Sequence, residues 1–378
     1  MIPYGRQSIS DDDINAVVDV LRSDWLTTGP KVVEFEAALA KFTTTLEAVS
    51  FSSGTAALHA AMAIIDLAPE DEVIVSPLTF AASVNCILYQ GGRPVFADVC
   101  PDSLLLDPEQ VKRKITSKTR AVIAVDYAGQ PCDYRELRRI CDEHDLVLVA
   151  DGCHSLGAED NGSPVGRLAD ITALSFHPVK HICTGEGGAL LLNDSKLSQR
   201  ARNFRNHGIT SDHHQRSREV CWNYDMASLG FNYRLTDMQS ALGLSQLKKL
   251  PQWLARRAEI AARYDGEIYD LDGVQSLETR ENVRHANHLY VIRIDNRVTG
   301  VSRDEMFVRL RQKGIGVNVH YKPVFEHSYY KKRFPGAGDE CLHAIEAANE
   351  ILSLPIFPIM TGGEVNIVMS QLKASLDG

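Results

Sequence analysis

Short, continuously apolar runs recur through the first half of the chain: Val73-Ile74-Val75, Pro94-Val95-Phe96, Ala121 to Val125, Leu146 to Ala150 and Ile171 to Phe176. Between them lie segments that carry helix-start signals. Ser10 opens a helix over Asp11 to Arg22 with acids in its first turn, Asp107-Pro108 supplies a cap and an N1 proline, and Asp133-Tyr134-Arg135-Glu136 has the form of a capping box. A strand with no polar alternation is buried on both faces, and helices between such strands are the crossovers of a parallel sheet. The pattern therefore predicts an α/β large domain, residues 1–240, built on a mostly parallel central sheet. Beyond it the pattern changes to a long helix over Ser240 to Tyr264, a strand at Leu289 to Ile294 and a helix over Arg303 to Lys313. We expect residues 241–378 to form a smaller C-terminal α+β domain, since 378 residues are long for one core.

Open parallel sheets carry their ligand chemistry just beyond the C-terminal strand ends. Asp151 stands at the end of the Leu146 to Ala150 run. Lys180 closes the segment Ser175-Phe176-His177-Pro178-Val179-Lys180, which leads into Thr184-Gly185-Glu186-Gly187-Gly188. Singly, these read as a helix cap and a surface lysine. Together they are what a pyridoxal phosphate (PLP) enzyme requires: a lysine that condenses with the aldehyde and an acid that keeps the ring nitrogen protonated. Such a cofactor also needs a phosphate anchor. Ser52-Ser53-Gly54-Thr55 precedes the helix-forming run Ala56 to Met62, so small residues and free amides meet at a helix N-terminus.

Other classes are poorly supported. No G-x-G-x-x-G fingerprint or phosphate-binding G-x-x-x-x-G-K-[ST] loop occurs. The net charge of −9, without a basic block, argues against a nucleic-acid partner. No apolar run reaches the roughly 20 residues of a membrane span, and Met1 to Arg6 lacks an apolar signal core, so a cytoplasmic protein is expected. The eight cysteines are scattered without a C-x-x-C pair, which predicts reduced thiols and no metal site.

The chain resembles the DegT/DnrJ/EryC1/StrS sugar-nucleotide aminotransferases of PLP fold type I, which are aspartate aminotransferase-like. The likeness runs through Trp25 to Pro30, Ser53 to Ala57, Pro77 to Phe80, Asp151 to Gly157, Ser175 to Lys180, Gly185 to Gly188 and Asn232 to Asp237. Ile2 to Gln7, Ala241 to Leu247, Val317 to Val324 and Leu352 to Pro355 are most similar to one branch. That branch aminates C4 of a UDP-linked 4-keto-6-deoxy-N-acetylhexosamine in pseudaminic acid synthesis, with L-glutamate as donor. Asp151-Gly152-Cys153-His154 departs from the family's commoner Asp-x-x-Gln form.

The resemblance implies roles position by position. Lys180 would be the Schiff-base lysine and Asp151 the partner of the pyridinium nitrogen. His154 would bond the ring hydroxyl oxygen, and Phe80 would stack on the ring. Ser53, Gly54, Thr55 and Ser175 would hold the phosphate. Asn232, or Arg234 in its place, would reach the phosphate of a neighbouring subunit, implying a homodimer with shared sites. His320, Tyr321 and Thr28 would face the nucleotide sugar. Glu186 is expected to be structural, His177 positional, and His213 and His214 solvent-facing. The alternatives are amination of a dTDP- or GDP-linked keto sugar, and a non-catalytic regulatory protein of the same fold. Lys180 argues against the latter.

Overall fold

The computed structural model describes residues 1–211 and 222–376, so His213 and His214 lie outside the described residues. The central sheet comprises β1 (Glu47–Phe51), β2 (Glu72–Val75), β3 (Arg93–Phe96), β4 (Thr119–Val125), β5 (Val147–Asp151), β6 (Ile171–Ser175) and β7 (Gly188–Leu192). Its order is β1-β7-β6-β5-β4-β2-β3. Pairing is parallel from β3 through β6, and β7 runs against both its neighbours. The sheet is α/β and mostly parallel, as the apolar runs predict.

Two strands escape the sequence pattern for physical reasons. β1 carries Ser50 in the core, where its amide and hydroxyl donate to Glu36 Oε1 at 2.9 and 2.7 Å. Glu36 is itself buried, and Arg202 and Arg205 hold its carboxyl below the usual range against the cost of that burial. In β7 the Ala-Leu-Leu-Leu run has helical propensity, but pairing with β1 on one side and β6 on the other overrides it.

The expected helix starts are present. Asp13 accepts from the Ser10 amide at 2.9 Å, Asp107 caps Pro108–Lys114 through the Glu109 amide, and Asp133 caps Tyr134–Glu143 through the Glu136 amide. The long helix is Asp237–Ile268. Near its start Leu247 and Leu250 pack with Phe35, Leu174 and Phe176, while Ile260, Tyr264 and Ile268 join a second core with Ile292, Leu352 and Met369. That second core covers a three-stranded antiparallel sheet of β8 (Val274–Ser276), β9 (Tyr290–Ile294) and β10 (Ile351–Leu354). The segment leaving this sheet returns residues 318–322 to the C-terminal ends of the parallel strands, where they face Asp151 and Lys180 across a cavity.

Candidate active site

A cavity of about 690 Å³ opens at those strand ends, and Ser53, Gly54, Thr55, Phe80, Asp151, His154, Ser175, Lys180, His320 and Tyr321 all line it. Residues scattered over more than 250 positions of sequence thus meet in one place, because each follows a strand or a loop that ends there.

Asp151 is the last residue of β5 and is buried. Its Oδ2 accepts a hydrogen bond from Ser83 Oγ at 2.6 Å, and its Oδ1 accepts from the Cys153 amide at 3.2 Å. Ser83 Oγ also lies 2.6 Å from Thr79 Oγ1. A serine hydroxyl has one proton, so Ser83 gives it to the carboxylate and takes that of Thr79. Two donors therefore orient the carboxylate from behind.

Lys180 lies in the turn after β6, and its amide donates to the His177 carbonyl at 2.8 Å. Burial pushes its amine below the usual lysine value, with Cys153 and Asp151 pulling more weakly the other way. Burial also raises the Cys153 thiol far above its usual range, so it stays protonated and unreactive beside the lysine.

The anion cradle is built by close backbone approach. Ser53 is the N-cap of the helix Gly54–Ile64 and accepts from the Ala56 amide at 3.1 Å, leaving its own proton free to donate. A Cβ on Gly54 would stand 2.9 Å from Ser175 Cβ, and one on Gly188 would stand 2.5 Å from the Ser53 carbonyl oxygen. The cradle turn rests directly on the first residue of β7, which is why that residue is Gly188. Glu186 is exposed and uses its backbone carbonyl, which accepts from Thr184 and Gln239 at 2.6 and 2.7 Å.

The opposite wall is aromatic and histidine-rich. Tyr321 OH lies 3.1 Å from His154 Nε2, and the two rings are stacked at 6.1 Å. His154 is buried, and burial, with Lys180 nearby, keeps its pKa well below the usual histidine value. Ser353 Oγ at 2.8 Å and Asn318 Nδ2 at 3.2 Å hold His320, and burial pushes its pKa down to about 3. Both are neutral imidazoles at physiological pH. Phe80 is 62% exposed at the cavity edge, 6.4 Å from the Tyr321 ring. His177 is exposed at the same rim.

Thr28 and Asn232 stand elsewhere. Thr28 lines a separate cleft of about 210 Å³ with Arg205, Asn206 and Arg234. Asn232 bridges to Asn206 in backbone pairing, and Arg234 donates to Asn206 Oδ1 at 2.6 Å. Asp237 in the same run is buried and accepts from the Gly29 and Lys31 amides at 2.6 and 2.9 Å, so it caps the helix Pro30–Thr43.

The family model described as the DegT/DnrJ/EryC1/StrS aminotransferase family matches residues 7–373. The chain belongs to that family. A curated relative, the spore coat polysaccharide biosynthesis protein SpsC of Bacillus subtilis, is 36% identical over 379 residues, covering 100% of this chain and 97% of SpsC. Among solved structures, the putative sugar aminotransferase Spr1654 from Streptococcus pneumoniae in its PMP form aligns with a TM-score of 0.93 at 31% identity, over 100% of this chain and 99% of that one. Its PLP form aligns at 0.92 and 31%, over 100% of this chain and 98% of that one. Helicobacter pylori PseC, an aminotransferase involved in the biosynthesis of pseudoaminic acid, aligns at 0.92 and 31%, over 100% and 99%. Neighbours solved in PLP and PMP forms accord with pyridoxal phosphate as the cofactor of this family member. The residues present fit that group: a buried, doubly bonded acid, a lysine with a lowered pKa and a helix N-terminus share one cavity. Among the described residues no cluster of His, Cys, Asp or Glu is arranged to hold a metal ion, and no helix is long and apolar enough to cross a membrane.

Sequence reasoning missed Ser83, Thr79, Tyr4 and His288, which also line the cavity. Ser83 lies 68 positions from the acid it serves, and no local pattern distinguishes it from an ordinary helical serine.

Proposed function

We propose that this family member is a PLP-dependent aminotransferase that moves an amino group from L-glutamate to C4 of a UDP-linked 4-keto-6-deoxy-N-acetylhexosamine, as a cytoplasmic homodimer with shared sites. The observation that carries the chemistry is the convergence of Lys180, Asp151 and the Ser53–Thr55 cradle on one cavity. When bound there, the cofactor supplies an electron sink that stabilises a carbanion at the carbon bearing nitrogen.

The chain's own residues divide the remaining work. Asp151, oriented by Ser83 and the Cys153 amide, holds a proton at the far end of the ring. Ser53, Thr55 and Ser175 anchor the phosphate with the first amides of the helix behind them. Lys180, with its amine lowered toward the neutral form, takes and returns a proton at the substrate carbon. His154, a neutral imidazole, would bond the cofactor's ring hydroxyl oxygen, and Phe80 would stack on the ring.

The size of the cavity supports a substrate larger than an amino acid. Tyr4, His177, His320, Tyr321, Lys322 and His327 line its outer part, an aromatic and hydrogen-bonding wall suited to a sugar. The choice of sugar rests on the likeness of residues 317–324 and 241–247 to one branch of the family, and the similarity to PseC supports it. Asn232 and Arg234 lie outside this cavity, which supports a role toward a second subunit.

The test is incubation with L-glutamate and the L-arabino and D-xylo epimers of the UDP-4-keto sugar, with products resolved by NMR and kcat/KM compared. The L-arabino epimer should be preferred. A clear preference for the D-xylo epimer, or for a dTDP-linked sugar, would reassign the substrate while leaving the transamination chemistry in place.

A further inference from the structure

Behind His154 lies a feature that the chemistry above does not use. The rings of His154 and His288 are 4.4 Å apart at a tilt of 39°, and the ring of His181 follows 5.3 Å beyond His288. All three are buried. Among the described residues His154 Nδ1 and His288 Nδ1 are buried without a hydrogen-bond partner, whereas His181 Nε2 lies 3.0 Å from the Ala286 carbonyl. Buried polar atoms are usually satisfied, so two orphans in adjacent rings call for an explanation.

The segment bearing His288 is held firmly. Ala286 and Leu289 amides donate to the carbonyls of Gly129 and Ala128 at 2.9 and 3.1 Å. Beneath it, Arg257 is fully buried with no acid partner among the described residues; its Nη1 lies within hydrogen-bond distance of the carbonyls of Asn287, His288 and Ile356 at 3.0, 3.2 and 3.1 Å, and its Nε has no partner among those residues. A buried guanidinium is costly unless its donors are used. Here Nη1 ties residue 288 to the chain leaving β10.

We propose that His288 is a positioning residue for His154: its ring, carried on a backbone that Arg257 ties down, lies 4.4 Å from the His154 ring and fixes the plane in which His154 Nε2 meets Tyr321 OH, and through that bond its tautomer. The role toward the cofactor rests on the function proposed above. His154 is then held from two sides, by Tyr321 OH at Nε2 and by the His288 ring on its face. The charged and titratable groups around it are Lys180, His181, His288, His320, Tyr321 and, farther back, Arg257, with Asp151 and Cys153 across the same cavity. Burial, to which the tilted His288 ring contributes, withholds the water that would stabilise a second proton on His154, and the cationic and histidine neighbours oppose it further. His154 therefore stays a neutral imidazole beside a lysine that must change its own protonation state.

The experiment uses the full chain with labelled histidine, free of cofactor and loaded with PLP. Long-range ¹H–¹⁵N spectra read tautomer and titration, and His154→Gln assigns the signal. In the wild type His154 should show one tautomer and no titration between about pH 8 and 5, although a free histidine titrates near 6.5. In His288→Ala it should titrate within that window and exchange between tautomers, and PLP affinity should fall about tenfold. His288→Phe, which keeps a ring in the stack, should restore the single neutral tautomer. If His288→Ala is unstable, His288→Leu, which fills the space without a ring plane, should behave as His288→Ala is expected to. An unchanged His154 spectrum in the folded Ala or Leu variant, or failure of the Phe variant to restore the wild-type spectrum, would overturn the proposal. Failure of the wild type to bind PLP would instead refute the proposed function, and the spectra would still be readable.

Discussion

Two regions of the molecule contain residues that the family resemblance assigns to the active site, and they are built differently. The cavity brings together Asp151, Lys180, Ser53, Gly54, Thr55, Ser175 and His154 in one chain. The second region gathers Thr28 and Arg234 in a smaller cleft, with Asn232 paired to Asn206 nearby. Among the described residues no lysine lines it, and Glu36, its buried carboxylate, is engaged by two arginines. Yet the two are back to back, since the Ser52 amide at the cradle donates to the Tyr233 carbonyl at 2.8 Å. In the proposed function the first region carries the chemistry, and the second would add at most a contact to a neighbouring site. A second copy of the chain is the simplest partner for such a surface, and substitutions in the two regions should therefore differ in size and kind.

The largest effect should come from Lys180→Ala. Turnover should be abolished, because the proposed function gives Lys180 both the attachment of the cofactor and the proton transfer. Borohydride treatment of the wild-type holoenzyme, followed by peptide mass spectrometry, should find the pyridoxyl group on Lys180. A label on any other lysine would remove the cavity from the argument. Burial lowers the Lys180 pKa, so in the free protein its amine should become neutral, and reactive toward acylating reagents, at lower pH than an ordinary lysine near 10.4.

Asp151→Asn should come next, with kcat reduced on the order of a hundredfold or more while folding is retained. The amide cannot hold the ring-nitrogen proton by charge, although it preserves the shape at the end of β5. Near-normal turnover would make Asp151 a structural cap.

The sequence points to these two residues because Asp151 closes one apolar run and Lys180 follows soon after another, near where an α/β sheet places its ligands, and the structure brings both to one cavity. The Ser53–Thr55 turn is chosen on weaker grounds, since small residues ahead of a helix suit an anion but also serve as a plain N-cap. What sequence could not supply was the company these groups keep. Ser83 is in the helix Ala82–Tyr89 and His288 just ahead of β9, and neither carries a local signal of the residue it touches. β1 and β7 were hidden because a buried serine and a leucine run obscure the strand pattern. His320 and Tyr321 came from family likeness alone, and the structure brings them to the cavity through the loop that follows Asn318.

Ser83→Ala should have a smaller effect than either substitution. It removes one donor from a buried carboxylate, a loss of about 1.5 to 3 kcal/mol for a bond to a charged group, which corresponds to roughly ten- to a hundredfold in kcat. Thr79→Ala should cost less, because its hydroxyl acts only through Ser83. If Ser83→Ala and Ser83→Thr are both indistinguishable from wild type, Asp151 is oriented by the Cys153 amide alone.

The smallest effects should lie in the second region, and they decide which of its side chains matters. If Asn232 completes the cradle of a partner subunit, Asn232→Ala should weaken PLP binding roughly tenfold, the low end of the about 1.5 to 3 kcal/mol of a hydrogen bond to a charged group. Arg234→Gln should then leave affinity nearly unchanged. If Arg234 is the contact, the order reverses and the loss should shrink as salt is raised, since a charge is involved. In either case binding and assembly must be linked, because a ligand bridging two chains favours the assembled state. PLP should therefore tighten the wild-type dimer, as measured by sedimentation across a dilution series, and do so less in the variant that loses affinity. If neither substitution changes affinity or linkage, the second region is no part of any site, and the cavity is complete within one chain.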